Sequence, residues 1–64
     1  MDNHETVRLI NNLVRFNKSV NENEQLSLEI FPYSSIVFWN YLGNEVKQCD
    51  TFQDANKWIR KWMR

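Results

Sequence analysis

The chain has 64 residues, one cysteine (Cys49) and one histidine (His4), so it reads as one domain near the lower size limit for a core without staples. An internal disulfide is excluded, as is the usual four-ligand structural zinc, and packing of three Trp, two Tyr and four Phe side chains has to carry the stability. Eight Lys and Arg balance eight Asp and Glu, which excludes a global field that would draw in nucleic acid or an acidic ligand.

The first segment has Val7, Ile10, Leu13 and Val14 at helical spacing, with Leu9 and Phe16 widening the stripe and Arg8, Asn12 and Arg15 opposite. Asp2 or Asn3 can cap its start, and Glu5 in the first turn suits the helix dipole. The pattern predicts a helix over 3–17, followed by a polar, aperiodic stretch to Glu24 that reads as a solvated loop.

Residues 25–31 alternate with period two, as a half-buried strand does. Pro32, Tyr33, Ser34 and Ser35 break that pattern as a turn, and 36–42 is rich in branched and aromatic residues, as a second strand is. Gly43-Asn44 is a two-residue hairpin signal that leads into a third strand over 45–50. Thr51 with Asp54 three residues later matches a helix start and predicts a second helix over 52–63. In that helix Phe52, Ala55, Ile59, Trp62 and Met63 share one arc with Trp58 at its edge, the more exposed of the two tryptophans, and Lys57, Arg60, Lys61 and Arg64 lie opposite.

The expected fold is therefore α+β in the order α-β-β-β-α: a three-stranded antiparallel meander with both helices packed on one face. A four-residue loop at 32–35 and a tight Gly43-Asn44 hairpin put Leu26, Leu28, Ile30, Val37, Trp39, Tyr41 and Val46 on the core face. The reverse face then carries Ser27, Glu29, Asn40, Glu45 and Lys47 with a cluster of Phe31, Ile36, Phe38 and Cys49. That cluster is the candidate contact for another protein or for a second copy in a homodimer.

The second candidate is a nucleic-acid contact through Lys57, Arg60, Lys61 and Arg64, since cations on one helix face can neutralise phosphates. From Glu22 to Asp54 the only cation is Lys47, and the sequence holds no other basic run that extends the strip. Trp58 and Trp62, four residues apart, can stack on bases but sit on the inner arc. Catalysis is not expected: one glycine rules out a glycine-rich phosphate loop, no metal-ligand spacing is present, and a Cys49–His4 pair lacks a third orienting group. No cofactor is implied. The acids Glu22, Glu24, Glu29, Glu45, Asp50 and Asp54 are spread over loops and strands, where they suit charge complementarity to a basic partner protein.

No apolar run approaches a membrane span, and the acidic, polar start is unlike a secretory signal, so the expected location is cytoplasmic.

The element order resembles double-stranded-RNA-binding domains over nearly the whole chain, which implies RNA contact from the first turn loop and the start of the second helix. That loop, Phe31-Pro32-Tyr33-Ser34, has the family's proline without its histidine, and the second helix starts Thr51-Phe52-Gln53-Asp54-Ala55-Asn56-Lys57, with one lysine where the family has a cluster. The resemblance is one of topology, which does not fix function. In its self-contained length and abundant asparagine the chain is also similar to small phage-encoded inhibitors that block host nucleic-acid enzymes by protein contact. The leading expectation is a non-catalytic binding protein of that phage or mobile-element kind, with nucleic-acid binding as the alternative.

Overall fold

The structure is a computed structural model that describes residues 3–33 and 35–63. Helix α1 spans Asn3–Ser19, a short 3₁₀ turn Glu22–Glu24, strand β1 Ser27–Ile30, β2 Ile36–Trp39, β3 Glu45–Cys49, and helix α2 Phe52–Trp62. The strands form an antiparallel sheet in the order β1-β2-β3, and Leu9 of α1 packs in one cluster with Ala55 and Ile59 of α2 and Ile36, Phe38 and Cys49 of the sheet. The expected α-β-β-β-α architecture, with both helices against one side of the meander, is the observed one.

The identity of that side is the reverse of the sequence expectation. The loop between β1 and β2 runs through 31–35 and is closed by the Phe31 N–H donating to the Ser35 carbonyl at 2.8 Å, one residue longer than the four-residue turn. Since side chains alternate with period two, one extra residue turns β1 over relative to β2. Leu28 therefore lies opposite Phe38, and Ile30 opposite Ile36. The cross-strand rows then decide which face is buried: Ile30–Ile36–Cys49 is apolar throughout, whereas Val37 sits between Glu29 and Gln48. The more apolar face meets the helices, with Lys47 at the end of its second row, Leu28–Phe38–Lys47.

Ile36 and Phe38 are accordingly fully buried, and Cys49 is buried beside them, so three of the four residues expected as an outer contact are core. Phe31, in the loop after β1, is at the surface and apart from them. Of the expected core face, Leu26 and Leu28 do pack against the cluster, but Ile30, Tyr41 and Val46 are exposed. Trp39 is half-buried on the outer face, where its Nε1 donates to Glu29 Oε1 at 3.2 Å. Val37 on the same face is only 4% exposed, walled in by its long neighbours Glu29 and Gln48.

The β2–β3 connection also differs from a two-residue hairpin. The Gly43 N–H donates to the Asn40 carbonyl and the Asn40 N–H to the Asn44 carbonyl, both at 3.0 Å, which encloses a three-residue loop with Gly43 at φ 82°. A left-handed residue after a turn is the usual construction of such loops. The Asn40 side-chain oxygen accepts from the N–H groups of Leu42 and Asn44, which locks the turn. Just beyond it the register shifts, with Trp39 opposite Glu45 but Phe38 opposite Lys47, so Val46 is an extra, bulged residue.

In α1 the buried side consists of Leu9 and Asn12 with Leu13 and Phe16, while Val7, Ile10 and Val14, expected in the core stripe, are exposed. The helix carries apolar residues on two arcs, and only one meets the sheet. Its last turn runs two residues further than expected because Asn17 is engaged. The Asn17 carboxamide donates to the Leu26 carbonyl and accepts from the Leu26 N–H, each at 2.9 Å, as a neighbouring strand would. That bond pair ties the end of α1 to the entry of β1.

Candidate functional site

Helix α2 starts as expected: Thr51 is extended and its hydroxyl accepts from the Asp54 N–H at 3.0 Å. Ala55 and Ile59 then point into the core and place Lys57, Arg60 and Lys61 outward. Arg64, the fourth cation expected here, lies outside the described residues.

The position of α1 beside this helix is set by a polar clasp. Asn12 Nδ2 donates to Asn56 Oδ1 at 3.1 Å, and Asn56 Nδ2 donates to the backbone carbonyl and to Oε2 of Glu5, both at 3.1 Å. Asn12 and Asn56 are buried and mutually satisfied. Asn12 is thus an inward residue, although its helical position reads as part of the polar outer face.

The clasp brings the outer faces of the two helices together. Arg8 and Arg15 of α1 and Arg60 of α2 line one surface groove, floored by Asn12. The groove continues along α2 through a depression shared by Arg8, Lys57 and Arg60, and then through one formed by Lys57, Arg60 and Lys61. A last depression, which shares Lys57 and Lys61, is lined by Trp58 and Lys47 together with Asp50 and Asp54. The sequence expectation that nothing basic extends the α2 strip is therefore corrected: Arg8 and Arg15 extend it. Their place beside α2 depends on the rotation of α1 about its axis, which the two apolar arcs of that helix leave open in the sequence.

Charge is segregated on the scale of the whole molecule. Among the described residues the helices carry Arg8, Arg15, Lys18, Lys57, Arg60 and Lys61 against Glu5 and Asp54. The turns, loops and strands carry Glu22, Glu24, Glu29, Glu45 and Asp50 against Lys47. Glu5 is turned toward Asn56 and pairs with Arg8 at 3.5 Å, so it offsets part of the Arg8 charge in the depression that both line with Lys57 and Arg60.

The tryptophans reverse their expected roles. Trp58 is half-buried and leans on Phe38, with ring centroids 4.7 Å apart. Trp62, one turn later, meets the edge of Trp58 at 6.2 Å instead of the sheet, and is 59% exposed.

No protein-family profile, curated protein or solved structure matches this chain.

His4 and Cys49, the one conceivable nucleophile pair, line different depressions, and Cys49 is buried. Desolvation pushes the Cys49 thiol above its ordinary range, Lys47 offsets part of this, and Asp54 and Asp50 add to it. A thiol held protonated in this way is a poor nucleophile. Among the described residues no cluster of three or more His, Cys, Asp or Glu is placed to hold a metal ion, and no helix is long and apolar enough to cross a membrane.

Proposed function

We propose that this protein is a non-catalytic nucleic-acid-binding domain that takes the phosphate backbone on the outer surface of its two helices. The observation that carries the reading is the convergence of Arg8, Arg15 and Arg60, from both helices, on one groove that runs on to Lys57 and Lys61. Neutralised phosphates release counterions, so a track of five cations gives affinity without any specific chemistry. The acidic turns and strands on the rest of the molecule repel the same ligand and orient the helical side toward it. A cytoplasmic setting goes with this reading.

The test is binding to labelled oligonucleotides at several salt concentrations. Affinity should fall linearly on a log–log plot, and Arg60→Gln or Arg15→Gln should each reduce the slope by about one. Salt-insensitive binding, or none, would overturn the reading.

A second reading, protein contact with a partner or a second copy, keeps one specific support. Val7, Ile10 and Val14 form an exposed apolar stripe at spacings of three and four on α1. It replaces the buried Ile36, Phe38 and Cys49 as the surface on which an inhibitor-like or dimeric role would rest.

A further inference from the structure

Resting on the nucleic-acid reading above, we infer that the ligand is single-stranded, and that Trp62 is the platform on which one of its unpaired bases stacks. The fold itself gives Trp62 little to do. The core closes over Phe38, Ile59 and Ala55, and an indole that is 59% exposed in the last turn of α2 leaves most of its apolar surface in water. Large aromatic rings left open in this way are natural contact points.

Its support is rigid. Phe38 is fully buried at the centre of the sheet, Trp58 rests on it with an interplanar angle of 36°, and Trp62 meets Trp58 at 62°. Trp62 thus leans on Trp58, which rests in turn on the core ring of Phe38, and this support lowers the entropy lost when a base lands on it. Lys61 precedes Trp62, and Lys57 and Lys61 link the arginine groove to the depression at Trp58, which Lys47, Asp50 and Asp54 also line. A backbone lying along Arg60, Lys57 and Lys61 reaches the depression at Trp58, and Trp62 stands against that ring at the end of α2.

The distinction between strand types follows from where bases are. In a duplex the ring faces are already stacked on neighbouring pairs, and a side chain on the outside of a helix cannot reach them without unstacking. A single strand offers every ring face, and stacking on an aromatic side chain adds to backbone neutralisation with little regard to sequence. DNA and RNA share this chemistry.

The experiment measures fluorescence anisotropy of labelled twelve-nucleotide oligothymidylate and oligouridylate, and of a duplex with the same number of phosphates, at one low salt concentration. The expected result is tighter binding of a single strand than of the duplex. Trp62→Ala should weaken single-strand binding by about five- to hundredfold with little effect on the duplex, and Trp62→Phe should restore much of it. Circular dichroism of Trp62→Ala confirms that an exposed ring was removed without unfolding. Equal affinity for duplex and single strand, or equal loss on both in Trp62→Ala, would overturn the stacking inference while leaving the cationic track in place. Binding to none of the three would overturn the nucleic-acid reading itself, and the inference with it. The oligothymidylate and oligouridylate arms show whether the DNA or the RNA strand is held more tightly.

Discussion

Asn12 and Asn56 lie 44 residues apart in the chain and share a 3.1 Å hydrogen bond between buried carboxamides at the contact of the two helices. This bond, with the two that Asn56 makes to Glu5, fixes the rotation of α1 about its axis and so determines that Arg8 and Arg15 face the same groove as Arg60. The basic surface depends on a neutral pair.

Asn56→Ala should expose that dependence. It leaves the Asn12 amide and the Glu5 carbonyl short of partners in a part-buried site, a loss of about 1–3 kcal/mol. In a domain this small each kcal/mol lowers the melting temperature by about 4–8 °C. A double-mutant cycle with Asn12→Ala, read by urea denaturation, should return a coupling of about 0.5–3 kcal/mol. Additive losses would mean the Asn12–Asn56 bond contributes nothing to the contact of the two helices.

The inverted sheet faces yield a sharper contrast. Phe38 is fully buried and touches Trp58, so Phe38→Ala should cost about 3–5 kcal/mol, a large part of the roughly 3–10 kcal/mol expected for a domain of this length. Phe38→Glu should leave the chain unfolded by circular dichroism. Tyr41→Glu, at a residue 61% exposed on the hairpin, should stay within about ±0.5 kcal/mol of the parent. The opposite pair of results would restore the original assignment of faces.

The origin of that inversion shows what a sequence of this kind can and cannot reveal. The start of α2 was legible because Thr51 and Asp54 act through bonds three residues apart, and the helix and strand periods were legible for the same local reason. Register was not, because Phe31 to Ser35 contains a proline and polar residues compatible with a loop of four residues or five, and a single residue exchanges the faces. The bulge at Val46 and the Asn17–Leu26 bond pair were equally silent, since each depends on a partner that folding brings from elsewhere. The α2 cations of the candidate site could be read directly. Joining Arg8 and Arg15 to them required the rotation of α1, and two apolar arcs, Leu9–Leu13–Phe16 and Val7–Ile10–Val14, competed for the core.

The outcome of that competition can be tested on the losing arc. Ile10 is 47% exposed, so Ile10→Glu should change stability by no more than about 0.5 kcal/mol. Multi-angle light scattering across a concentration series then reads the second functional proposal. If the stripe joins two copies, the parent shows a dimer that Ile10→Glu abolishes. A monomer at every concentration removes the self-association form of that proposal and leaves the arc as ordinary surface.

The burial of Cys49 predicts a loss of stability in alkali. The thiol ordinarily ionises near pH 9.0, and desolvation in the folded chain raises that value. The neutral form is therefore favoured by folding, and the contribution is fully present below the unfolded value. As pH rises above about 9 the unfolded chain releases its proton first, and stability falls until the pH has passed the higher folded value. Cys49→Ala removes this dependence, so the difference in unfolding free energy between parent and variant, measured from pH 7 to pH 10.5, should drift in favour of the variant at the alkaline end. Alkylation by iodoacetamide at pH 8 gives an independent reading: Cys49 should react slowly in the folded protein and quickly in urea. A folded-state rate equal to that of the unfolded chain would show that the thiol is open to solvent, and the pH dependence argued from its burial would fail with it.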